Sequence, residues 1–146
     1  MPVRLRNALA MIAGIFIGSA VNMGLISLGP LVIPPPLGVD MTTAEALAAA
    51  MPLLEPRHFV FPFLAHALGT FVGAAVACRV SASDHAKHAI GIGVFFLIGG
   101  IAMALGVRGP QWFTALDLIV AYLPMAWLAT KISGNSQRLL GRVAAS

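Results

Sequence analysis

Arg57 and Arg79 bracket the stretch RHFVFPFLAHALGTFVGAAVACR, in which a long apolar run beginning at Phe59 holds one histidine, His66. A bilayer's hydrocarbon core takes roughly 20 apolar residues at 1.5 Å rise each. The run therefore reads as a transmembrane helix. Stepping from His66 by threes and fours reaches Gly69, Gly73 and Ala77, a small-residue stripe that lets a neighbouring helix backbone come close. On that pattern His66 faces protein rather than lipid, where it is expected neutral and hydrogen-bonded, because ionisable groups inside a bilayer are costly.

Three further runs of this kind make the chain an all-α, four-transmembrane-helix bundle, with spans at about 8–29, 58–78, 89–107 and 112–132 and a single integral membrane domain over 1–146. Composition agrees: 59% of the 146 residues are hydrophobic and 10% charged, against ~25% charged in a typical soluble domain. The first run follows Arg4 and Arg6 like a secretory signal, but it continues through Val21, Leu25 and Leu28, past the ~7–15 apolar residues a signal uses. It reads as an uncleaved span, with Gly14, Gly18, Asn22 and Gly29 on one packing face. The third span is rich in glycine, including Gly91, Gly93, Gly99 and Gly100. In the fourth, Trp112 and Trp127 suit the two headgroup belts, Asp117 lies inside, and Pro124 predicts a kink by leaving the Val120 carbonyl unpaired.

Between the first two spans Pro34-Pro35-Pro36 forbids a continuous helix, and Gly38 with Asp40 reads as a turn. Thr42 and Glu45 match a capping box for a short Ala-rich surface helix, which Pro52 ends. Glu55 and Pro56 suit the first turn of the next span. Asp84 reads as the N-cap of the third, and His85 and His88 as solvated surface. The tail from Ser133 is basic and reads as interfacial.

The net charge of +4 reflects nine dispersed basic residues rather than a nucleic-acid patch. With four spans and both termini inside, Arg4, Arg6, Arg79, Lys87, Lys131, Arg138 and Arg142 are cytoplasmic and Arg57 and Arg108 are not, as the positive-inside rule asks. A lone cysteine, Cys78, allows no intrachain disulfide and no CxxC pair. Gly91-Ile92-Gly93 follows no strand, so a dinucleotide loop is excluded.

This topology sets Asn22, His66 and Asp117 roughly 10, 12 and 8 Å from the outer face. Three polar groups on three helices then share one layer, beneath His58, Arg57, Glu55 and Asp40 of the outer loop. The layer suggests a small polar pocket open to the outside, with Asn22, His66, Asp117, His58 and Asp40 as candidate ligand-binding residues. An Asp–His pair suits proton relay, and imidazole with carboxylates suits a divalent metal; the sequence specifies neither a metal nor a cofactor. Each residue also has a structural reading: Asn22 as an interhelical hydrogen bond, Asp117 wetted at the interface, His58 at the membrane boundary.

The segments IPPPLGVDMT, EPRHFVFPFLAHALGTFVGA, GIGVFFLIGGIAMA and DLIVAYLPMAW together resemble a group of small, uncharacterised four-helix bacterial inner-membrane proteins. The resemblance covers most of the chain and implies a bacterial inner-membrane location, and it carries over no site residue. The membrane-embedded glutamate of small multidrug transporters has no counterpart in the first span. The function classes left are small-solute or ion handling through the polar layer, or a structural or accessory subunit of a membrane complex. An enzyme ranks behind both, since no nucleophile with its base is visible. The glycine faces lead us to expect a homo-oligomer or another membrane protein as partner, besides the bilayer itself.

Overall fold

The computed structural model describes residues 1–144, with side chains described to 133. Helix α1 (Val3–Val32), α2 (Ala44–Ala50), α3 (Val60–Val80), α4 (His85–Val107), α5 (Gln111–Val120) and α6 (Leu123–Ala144) follow in order, with no strand among the described residues. Four helical stretches are long and apolar enough to cross a membrane: Val3–Val32, Pro56–Val80, His85–Val107 and Gln111–Ser133. They match the four expected spans and overrun them by a few residues at most ends.

Helix α1 continues through Pro30 to Val32, three residues past the expected end of the span at about 29. One proline removes a single N–H; the termination comes where Ile33, held by the following Pro34, turns to φ −124° and ψ 86°. Gly38 turns the chain at φ +80°. The short helix starts one residue later than the capping box predicted. Asp40 Oδ1 takes the Thr42 amide (2.9 Å) and hydroxyl (2.7 Å), so Thr43 becomes the N-cap, its hydroxyl accepting from the Ala46 amide. One side of this helix packs inward: Ala50 is buried, and Leu47 and Met51 line a cavity at the end of the bundle.

The core is built from small residues. Helices α1 and α3 run antiparallel with glycines interleaved: a Cβ on Gly14 would lie 2.7 Å from the Gly73 carbonyl, and one on Gly18 2.7 Å from that of Gly69. Around this contact, alanines 74, 75, 77, 89, 126 and 129, with Cys78 and Ile92, form the buried cluster. Large apolar side chains such as Ile12, Phe16, Leu31, Ile98, Leu105 and Ile119 stand outward instead, the reverse of a water-soluble core.

Two junctions hold the ends. Arg6 Nε donates to the Val80 carbonyl (2.8 Å), and the Asn7 side chain bridges the Ala82 amide (2.7 Å) and the Ser83 hydroxyl (3.0 Å), tying α1 to the α3–α4 turn. Asp84 occupies the N-cap position, but at φ 49° its side chain leaves the cap and pairs with Lys87 Nζ at 2.7 Å. That contact holds the Asp84 carboxyl below its ordinary value. His85 is not solvated as expected: its Nδ1 lies 2.9 Å from the Cys78 carbonyl and from Ser81 Oγ. Midway along the last span, the break at Ala121–Tyr122 falls where Pro124 cannot donate to Val120. Lys131 Nζ sits 5.1 Å from the Trp127 ring. The tail expected at the interface lies outside the residues whose side chains are described.

Candidate functional site

The break between α5 and α6 builds the site. Because the helix stops at Val120 and restarts at Leu123, Tyr122 falls between two helices and its ring turns back along α5. Its hydroxyl donates to Asp117 Oδ2 at 2.9 Å. A regular helix brings residues three and four apart together, not five. The ring fits because Gly100 of α4 has no side chain: any Cβ there would collide with the Tyr122 phenol.

From α3, His66 Nδ1 lies 2.9 Å from both carboxylate oxygens of Asp117. A carboxylate can only accept, so Nδ1 carries the proton and donates it. The imidazole stacks on Tyr122 with ring centroids 5.7 Å apart and an interplanar angle of 29°. Asp117 thus receives two donors and is nearly enclosed, its side chain 7% exposed, while His66 keeps 20%. The exposed part of His66 faces a cavity of about 280 Å³. His66 Nε2 has no hydrogen-bond partner among the described residues.

That cavity opens among the loop 34–56 and the adjoining ends of α1, α3, α4 and α5. On each helix the lining residues furthest from the loop are Ile26, His66, Gly100 and Leu118, so the His66–Asp117 pair closes the inner end. The walls are apolar, with Phe59, Phe61, Phe113, Met41, Met51 and Met103 prominent. Sequence reasoning expected a polar pocket. The polar or ionisable groups reaching this one are His58, His66, Thr114 and Asp117.

The five candidate residues therefore separate. His66 and Asp117 are in contact. His58 lines the same cavity but both its nitrogens are engaged: Nδ1 accepts from the Glu55 amide at 2.9 Å and Nε2 lies 3.1 Å from the Pro34 carbonyl. It closes a capping box at the start of a 3₁₀ turn, Pro56–Phe59, and fastens the proline segment over the cavity. Asp40 is exposed, absent from the cavity wall and committed to Thr42, whose hydroxyl and amide hold its carboxyl below the ordinary value. Asn22 is likewise absent from the wall. Its Cβ packs against Gly69, and its side chain makes no hydrogen bond among the described residues.

The three-residue layer is corrected on that last point. Gly14 faces Gly73 and Gly18 faces Gly69, and one more turn of this register sets Asn22 opposite Ala65. The direction in which Asn22 faces differs from the expectation. The stripe Ala65, Gly69, Gly73, Ala77 faces α1, and His66, one residue off it, points about 100° away toward α5 and α6. Tyr122 was missed, because only the helix break brings it to Asp117; Pro124 two residues on was the available signal.

Among the described residues no three His, Cys, Asp or Glu side chains converge as metal ligands would. Chemically, the site offers a carboxylate-backed imidazole with one uncommitted nitrogen on an apolar chamber. Comparison with family models, with curated proteins and with solved structures found no match to this chain.

Proposed function

We propose that this chain is a polytopic protein of the bacterial inner membrane that handles a small solute through the cavity, with His66 as the contact group and Asp117 as its hydrogen-bond partner. The observation carrying this reading is the 2.9 Å His66–Asp117 bond beside about 280 Å³ of space, with Nε2 left over. A purely structural histidine in lipid would have both nitrogens satisfied, as His58 does. The charge bias of seven basic residues to two, out of nine, supports cytoplasmic termini and a cavity open to the outside. The outward-facing large apolar side chains support contact with lipid.

Gly24, Gly99 and Gly106 have nothing within 4 Å of a built Cβ, which favours the second reading, a subunit packed against a copy of itself or another membrane protein. Gly93 and Gly100 meet Ala126 and Tyr122 of the same chain.

The test of the first reading is solute-driven pH change in proteoliposomes filled with a pH-sensitive dye, in wild type, His66→Ala and Asp117→Asn. The titratable groups facing His66 are Asp117 and Tyr122, with His58 across the cavity. Solute-dependent signals lost in both variants support the reading. Equal signals in all three proteins and in empty liposomes abandon it.

A further inference from the structure

We infer that the cavity selects organic cations whose charged nitrogen bears at least one hydrogen: a protonated amine on an apolar, ring-sized body. The inference rests on the solute-handling reading above and names the ligand class of that site.

Charge is the first argument. No lysine or arginine lines the cavity. Arg57, next in sequence to the wall residue His58, is paired with Glu55 at 3.0 Å. The one acid on the wall is Asp117, so an anion would meet a carboxylate with no compensating cation, which disfavours it in an apolar chamber. A cation meets the opposite field.

Hydrogen-bond polarity is the second. Both carboxylate oxygens of Asp117 already accept, from His66 Nδ1 and the Tyr122 hydroxyl. Nδ1 is engaged by the Asp117 carboxylate, which leaves Nε2 as the nitrogen available to accept, so the wall offers an acceptor beside a carboxylate. An ammonium N–H satisfies it with a charge-assisted bond. A quaternary ammonium carries the same charge but has no hydrogen to give.

The walls supply the third. Phe59, Phe61 and Phe113, with the thioethers of Met41, Met51 and Met103, surround the space. Aromatic faces attract cations, and methionine adapts to irregular apolar bodies. About 280 Å³ accommodates a substituted benzene ring but not a large drug-sized molecule.

The experiment measures binding to the full chain in lipid nanodiscs, with empty nanodiscs subtracted. Four matched probes are used: para-butylbenzylamine, para-butylbenzyltrimethylammonium, para-butylbenzyl alcohol and para-butylbenzoate. The expected order is amine tightest, by about tenfold over alcohol and over the quaternary ion, with benzoate weakest. Asp117→Asn should remove the tenfold preference while alcohol binding persists, which also shows that the variant is folded. Ala104→Phe, filling the cavity from α4, should remove all binding.

If alcohol, quaternary ion or benzoate binds as well as the amine, and Ala104→Phe still abolishes binding, the cation assignment is overturned and the solute-binding reading stands. If no probe binds wild type above empty nanodiscs, the reading of the cavity fails and the inference with it.

Discussion

At the scale of single residues, the account rests on where donors and acceptors go. Removing the Tyr122 hydroxyl by Tyr122→Phe takes one donor from a nearly enclosed carboxylate, at a cost of about 1–3 kcal/mol. Thermal unfolding in detergent should register that loss, and His66→Ala should lose a similar amount. A Tyr122→Phe protein as stable as wild type would mean the hydroxyl makes no useful bond to Asp117. At the turn after Gly38, the Asp40 carboxyl is held below its ordinary value of 3.8 by Thr42. A lowered pKa makes its contribution complete above 3.8 and lost as pH falls below it, through the folded value. The Thr42 amide resonance should therefore move only in that acid range, and Asp40→Asn should weaken the pH response. A shift centred near neutrality would contradict the assignment. These side chains also mark what sequence could give: His66 and Asp117 stood out as ionisable groups inside apolar runs. Asn22 looked equivalent because depth along a helix is legible and facing direction relative to unknown neighbours is not.

At the scale of elements, helix contacts are set by missing side chains. Gly73→Ala would drive a Cβ to 2.6 Å from the Gly14 carbonyl, and backbone cannot give way as a side chain can. A cost of about 1–3 kcal/mol is expected, as for other overpacked sites. Gly99→Ala, with nothing within 4 Å, should be neutral or slightly stabilising in the isolated chain. Equal effects from the two would contradict the α1–α3 interleaving. If Gly99→Ala instead weakened cross-linking between copies in native membranes, the subunit reading would gain. The helices and their order were legible because apolar length is a strong signal. The cap of α2 was misplaced by one residue because two threonines compete for it, and Asp40, three-dimensionally nearest to Thr42, decides. Helix α1 overran Pro30 because a single proline costs one bond in a helix otherwise well satisfied.

At the scale of the whole molecule, one end of the bundle is closed by hydrogen bonds and the other is hollow. The Arg6, Asn7 and Ser83 ties occupy the first end. The second end carries the proline segment, strapped down by His58 over the cavity. The function proposed needs the hollow end outside. A reporter fused to the C-terminus should therefore signal a cytoplasmic location, and an external signal would reverse the orientation. The cavity itself was only half legible: His58, His66 and Asp117 on its wall stood out in the sequence, but a polar pocket was expected, and the Phe and Met residues of its walls carry no mark in a chain that is apolar throughout.

The central claim is that His66 is held by Asp117 at Nδ1 and presents a bare Nε2 to the cavity. Nitrogen NMR of ¹⁵N-histidine-labelled protein in nanodiscs reads both atoms at once. The account predicts a His66 Nδ1 that keeps its proton and loses its hydrogen-bonded signature in Asp117→Asn, with Nε2 unprotonated and shifted when para-butylbenzylamine is added. A His66 protonated at Nε2 with a bare Nδ1, and unmoved by the amine, would contradict it.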